Sequence, residues 1–147
     1  MPEEELIHSS QVLLIRTGAD GHAESLLKDG RVVPVSCTAA ELLERFCLQH
    51  GSTLKGRQDA FRLIMHTRQK TPVMISEASG RIFFPLLSPE DPACVWLCSN
   101  EILKCRSRGS GMCTVIFMNG EEYDLNFDAR IVSKQMKRCE KYLQMFA

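Results

Sequence analysis

The stretch Thr71–Pro92, TPVMISEASGRIFFPLLSPEDP, constrains the fold more than any other part of the chain. It holds two apolar runs, Val73-Met74-Ile75 and Ile82-Phe83-Phe84, separated by Ser76-Glu77-Ala78-Ser79-Gly80. Pro72 opens the first run. Pro85 ends the second, because proline has no N–H to give to a sheet ladder. The intervening residues are turn formers, and Gly80 is free to take a positive φ. The stretch therefore predicts two short strands joined by a tight turn, too apolar to lie anywhere but in a core. Arg68, Lys70 and Arg81 flank and interrupt it.

Upstream, Gln11–Arg16, Ala23–Leu27 and Arg31–Val35 read as strands. Turn residues at Thr17–Gly21 and the hairpin dipeptide Asp29-Gly30 join them into a small meander. The period then changes. Thr38 with Glu41 three positions on makes a capping box. Leu42, Leu43, Phe46 and Cys47 follow at helical spacing, and Gly51 supplies a C-terminal stop, so a helix is expected over about 39–50. Ser52–Asp59 reads as a helical turn or a structured loop broken by Gly56, and Ala60–His66 as a strand. Beyond the central hairpin, Cys94–Cys98 reads as a short buried strand around the only tryptophan. Glu101–Arg106, Met112–Met118 and Glu121–Phe127 form a second meander, in which Asn119-Gly120 predicts a type I′ turn.

The last helix is expected over about 129–145, capped by Asp128. Val132, Met136, Cys139, Leu143 and Phe146 form one apolar stripe. It suffices for packing on the core and is also wide enough, with Tyr142 and Met145, to pair two copies. Arg130, Lys134, Lys137 and Lys141 form a basic stripe on a different face. The fold class is α+β, built of antiparallel strands and hairpins with a central and a C-terminal helix. Residues 1–147 make a single domain, of which 1–9 are a loose lead-in.

Formal net charge is zero, yet charge is unevenly spread. Residues 1–54 hold eight acids to four bases, and residues 55–108 nine bases to five acids. Such a chain can present a basic face despite a neutral total. The seven cysteines are odd in number and lack any Cys-x-x-Cys, so they read as free thiols in a reducing compartment. No run approaches the ~20 apolar residues of a membrane span, and the acidic N-terminus does not resemble a targeting segment. The expected location is the cytoplasm, with no membrane partner.

No enzyme signature emerges. His8, His22, His50 and His66 are scattered, without His-x-x-x-His or a nearby acid at ligand spacing. Cys94 and Cys98 lie on one face of a strand but about 13 Å apart along it, too far to share a metal. Gly109-Ser110-Gly111 lacks both the strand–loop–helix context and the lysine of a phosphate loop. No catalytic residue, metal ligand or cofactor is expected. Three basic groupings remain: Lys55 and Arg57 flanking Gly56; Lys104, Arg106 and Arg108 alternating along one face of a strand into its turn; and the helical stripe. Each taken alone reads as solvated surface. Several on one side of the molecule would make a footprint for nucleic acid.

From about Gly51 to Leu143 the chain resembles the ComK family of bacterial competence transcription factors. The segments that carry the resemblance are Gly51-Ser52 through Gly56-Arg57, Pro72–Ile75, Ile82–Pro85 with Leu87-Ser88, Pro92, Cys94 and Trp96 at their spacing, and Thr114–Phe117 into Asn119-Gly120. The first 50 residues match loosely.

The resemblance implies a sequence-specific activator that binds AT-rich promoter boxes from the minor groove, as a dimer or a pair of dimers. Minor-groove readers favour arginine, because AT-rich tracts narrow the groove and deepen its negative potential. The candidate DNA-binding residues are Lys55, Arg57, Arg62, Arg81, Lys104, Arg106, Arg108, Lys134, Lys137 and Lys141, with Arg57, Arg62, Arg106 and Arg108 as minor-groove readers. Longer family members carry a basic tail past the last helix, which also serves recognition by the degradation machinery; this chain ends at Phe146-Ala147. The alternative reading is therefore a shortened non-catalytic paralogue that acts through a full-length relative, with a degradation adaptor as a further candidate partner.

Overall fold

The computed structural model of the protein describes residues 7–146. Its centre is a six-stranded antiparallel sheet, formed by β1 (Val12–Thr17), β2 (Ala23–Leu27), β3 (Val32–Pro34), β4 (Val73–Ser76), β5 (Arg81–Pro85) and β6 (Trp96–Cys98) in the order β3-β2-β1-β6-β5-β4. The first meander and the central hairpin are thus one sheet, joined by β6. Leu97 of β6 pairs with Leu14 of β1 on one side and with Phe84 of β5 on the other. A separate three-stranded antiparallel sheet follows, with β7 (Ile102–Ser107), β8 (Cys113–Phe117) and β9 (Glu122–Leu125) in sequence order. Three helices complete the fold: α1 (Ala39–Gln49), α2 (Leu54–Met65) and α3 (Ala129–Gln144).

Two cores lie on opposite faces of the large sheet. On one face Val12, Ile15, Val73, Phe83 and Trp96 pack against Leu43, Phe46 and Cys47 of α1. On the other, Leu14, Met74, Ile82, Phe84 and Leu97 meet Phe61 of α2, the inner face of the small sheet, and Val132, Cys139 and Tyr142 of α3. Covering on both faces explains the continuous apolar runs in the central hairpin, where a half-exposed sheet would require alternation. Every residue of β4, β5 and β6 is buried. Gly80 turns the hairpin at φ +69°.

Local signals set the helix starts. Thr38 and Glu41 exchange the reciprocal hydrogen bonds of the capping box, Asp128 accepts from the Arg130 N–H, and Thr53 accepts from the Gly56 N–H. Gly51 follows α1 at φ +76°.

The second helix corrects the reading of 52–66. A strand at 60–66 would put Phe61, Leu63 and Met65 on one face. Phe61 is fully buried and Leu63 is 75% exposed, the pattern of a helix turned inward at Leu54, Phe61 and Met65. Gly56 does not break this helix. It sits in the first turn, where backbone N–H groups lack helical partners, and its N–H donates to the Thr53 hydroxyl oxygen at 2.9 Å.

The Asn119-Gly120 turn also differs. Only Gly120, at φ +93°, lies in the left-handed region, and its N–H bonds the Phe117 carbonyl. That is a type I turn closed by a glycine bulge, a three-residue loop in place of the two-residue type I′ loop. Gly30, at φ +88° with its N–H on the Leu27 carbonyl, closes its hairpin in the same way. The strand expected from Cys94 begins at Trp96 instead, because the Cys94 N–H is taken by the Asp91 carbonyl in a turn. Of the stretch read as a lead-in, residues 1–6 lie outside the described residues. Ile7 and Ser9 are buried, Ile7 in the α1-side core.

Arg81 explains part of that order. It was a candidate for DNA contact, and the structure buries it. Its Nε donates to the Ser9 carbonyl at 2.6 Å, Nη2 to the Val12 carbonyl at 2.8 Å and Nη1 to Glu101 Oε2 at 2.7 Å. A side chain 10% exposed and spent on these partners is a cross-brace between β5, the entry to β1 and the residue before β7.

Six of the seven cysteines are buried and Cys105 is partly exposed. Burial pushes the Cys47 thiol up to about 11 and those of Cys98 and Cys113 to about 12, and raises Cys139 as well. A thiol held above its unfolded value of about 8.5 stabilises the fold below that pH and loses the contribution as pH rises towards the folded value. The urea midpoint is therefore expected to fall between about pH 8.5 and 11, after allowance for the common decline from lysine and tyrosine. A flat midpoint across that window would contradict the burial of these thiols.

Candidate functional site

The basic stripe of α3 lies on the helix face opposite Val132, Gln135, Cys139 and Tyr142, which are buried. Arg130, Lys134, Lys137 and Lys141 are exposed. Their spacing carries them over roughly 16 Å of helix axis. Arg130 pairs with Asp128, whose carboxyl it holds well down, at about 2. Among the described residues, no acid forms an ion pair with Lys134, Lys137 or Lys141.

The link between α2 and β4, residues 66–70, lies against this helix. Gln135 Nε2 donates to the Lys70 carbonyl at 2.9 Å and to the Pro85 carbonyl at 2.7 Å. Arg138 spreads its fork over the same link, to the Lys70 carbonyl at 3.2 Å, the Thr67 hydroxyl at 2.7 Å and the Gln69 carbonyl at 3.2 Å. Its guanidinium also stands 5.5 Å from the centre of the Phe61 ring. The polar partners of Arg138 are carbonyls, a hydroxyl and Gln135 Oε1, so no carboxylate cancels its charge.

Three adjoining grooves trace the resulting surface. Arg62, His66 and Arg68 line the first; Arg68, Lys70, Lys134 and Arg138 the second; Lys134, Lys137, Arg138 and Lys141 the third. Shared residues make them continuous. The acid at the rim is Asp59, already engaged by Lys55 at 2.7 Å and Arg62 at 3.4 Å and lowered in pKa, chiefly by Lys55. The surface is strongly positive although the chain is neutral.

The other candidates are distributed elsewhere. Lys55 and Arg57 stand in the first turn of α2, not in a loop, and Arg57 Nε donates to Ser52 Oγ at 2.9 Å. Lys104, Arg106 and Arg108 do run along the outer face of β7 into its turn, but acids share that face two strands away. Arg106 meets Glu122 at 3.4 Å and Arg108 meets Asp124 at 2.8 Å. The Thr114 hydroxyl, with Arg108, holds the Asp124 carboxyl below its ordinary range. That row is largely self-neutralised.

Arg68, Lys70 and Arg138 join the basic surface without being among the DNA-contacting residues expected from the sequence. Arg68 and Lys70 carried one signal, as bases flanking the central hairpin. Arg138 lies beside the stripe rather than on it, and nothing in the sequence shows that it grips a link 68 residues upstream.

Among the described residues, no group of three or more His, Cys, Asp or Glu side chains is placed to hold a metal, and no helix is long and apolar enough to cross a membrane. A family model described as "ComK protein" matches residues 3–147, and so takes in the loosely matching first third. A curated relative, the competence transcription factor of Bacillus subtilis (strain 168), is 20% identical over 133 residues, covering 90% of this chain and 69% of that protein. No solved structure matches.

Proposed function

The chain belongs to the ComK family, and from that premise we propose that it is a competence-type transcription regulator that binds AT-rich promoter boxes in duplex DNA. The observation that carries this reading is the continuous basic surface of α3 and the 66–70 link, on which the ion-paired acids are Asp59 at the rim and Asp128, held by Arg130. Lysines and arginines arrayed in this way displace counterions from phosphate, a source of affinity that a neutral chain can supply only from one concentrated face. The role is non-catalytic. Approach from the minor groove and the pairing of copies on a promoter belong to the same proposal. In support, the exposed Leu63 and Ile64 on α2 offer apolar area beyond what the fold uses.

The test is fluorescence anisotropy on an AT-rich duplex with paired A-tracts and on a GC-rich control, at several salt concentrations. Four to six phosphate contacts give a slope of log affinity on log salt of about −4 to −5. Preference for the AT duplex with such a slope is expected. Binding that is undetectable, or indifferent to salt, would end this reading.

A further inference from the structure

We infer that the 66–70 link is the element that reads the groove, with Arg68 as the inserted side chain and Arg138, helped by Gln135, as the positioning residue that aims it. This rests on the DNA-binding reading above and assigns its parts. His66 at φ +53° and Lys70 at φ +48° bound the link, and they are the two non-glycine residues in the left-handed region among those described. Side chains rarely adopt this conformation, and it persists where the surroundings impose it, often at functional sites.

At His66 this is the left-handed cap of α2, with the N–H on the Arg62 carbonyl, and at Lys70 the surroundings are Arg138 and Gln135. They hold the carbonyls of Gln69 and Lys70 and the Thr67 hydroxyl inward against α3. Gln135 is 3% exposed and anchored in turn on the Pro85 carbonyl, so the clip is fixed to the sheet. With its backbone turned inward, the link leaves Arg68 exposed and, among the described residues, without an ion-pair partner.

Size then divides the labour. A helix with its side chains is about 10–12 Å across, and the minor groove is about 6 Å wide, so α3 cannot enter. One arginine on a narrow link can, and an A-tract's compressed groove attracts it. The α3 lysines stay at the rim, where phosphates lie. Arg138, bound to neutral acceptors, adds an uncancelled charge behind Arg68.

The experiment measures affinity for AT-rich and GC-rich duplexes, and the salt slope of each, for the unaltered protein and for R68A, K134A, R138K and T67V. Thermal melts check each fold. R68A is expected to cut the AT-over-GC ratio about tenfold. K134A should weaken both duplexes equally and reduce the salt slope by about one. R138K keeps the charge but loses the fork that spans three acceptors of the link and Gln135 Oε1. It should lower the ratio at an unchanged slope, as should T67V, which removes one anchor at little risk to folding. If the unaltered protein prefers the AT duplex and R68A keeps that preference, the assignment of Arg68 fails while the DNA-binding reading stands. A ratio unchanged in T67V and in a folded R138K removes the positioning role. If the unaltered protein shows no salt-dependent binding, the DNA-binding reading fails and takes this inference with it.

Discussion

Replacing Lys134, Lys137 and Lys141 together by glutamate is expected to weaken binding to AT-rich duplex by roughly a thousandfold at moderate salt. The change removes three phosphate contacts and puts three like charges against the duplex backbone. Loss of the contacts alone should flatten the salt slope by about 2.7, at about 0.9 per contact. These lysines are exposed and not ion-paired among the described residues, so the helix should keep its stability. The informative control carries glutamate at Lys104, Arg106 and Arg108. It makes the same change in net charge, but on a face where Glu122 and Asp124 already offset the bases. We expect a loss there of less than about tenfold, the effect of longer-range field alone. A larger loss from the β7 triple than from the α3 triple would show that the small sheet, and not α3, faces the DNA.

Arg81→Ala is expected to give the largest loss of stability of any substitution of a charged residue in the chain, about 3–5 kcal/mol. It removes one of two donors from the Ser9 carbonyl, which keeps the Val12 N–H, takes the Arg81 donor from the Val12 carbonyl, and leaves Glu101 with Lys28, at 3.0 Å, as its remaining cation. Against a total of about 5–15 kcal/mol for a domain of this kind, the substitution brings the fold close to its limit. Arg81→Lys preserves the charge but cannot reach three acceptors, and should cost about 1–3 kcal/mol. Urea titration reads both as a shift in midpoint at constant slope. An alanine variant within about 1 kcal/mol of the parent would overturn the cross-brace. The Glu101 side also depends on pH. Burial pushes its carboxyl up, but Arg81 and Lys28 outweigh that and hold it below its ordinary value. A depressed carboxyl stabilises the fold above its unfolded value of about 4.3, and this part of the stability is lost as pH falls through the folded value.

Much of the fold is legible where the cause is local. The apolar runs of β4 and β5, the capping box at Thr38 and the Asp128 cap depend on residues a few positions apart. Each therefore stands in the structure near its expected place. The second helix was less legible, because Ala60–His66 is apolar enough for either period and Gly56 looked like a breaker. Burial decided it, through Phe61 turned to the core and Leu63 to water. At Asn119-Gly120 the dipeptide located the turn correctly but did not distinguish a two-residue from a three-residue loop, since glycine suits both.

The basic residues mark the line between the two kinds of information. Sequence alone determined that the second part of the chain is rich in bases, that Arg130, Lys134, Lys137 and Lys141 share a helix face, and that the motifs resemble one family. These are matters of order and spacing along the chain. Tertiary structure decided which charges act together. It buried Arg81 against carbonyls about 70 residues away, set the β7 row opposite two acids, and brought Arg68, Lys70 and Arg138 onto the α3 surface. The physical reason is that a charge's effect depends on its distance to other charges and to water, and those distances are set only when remote segments pack.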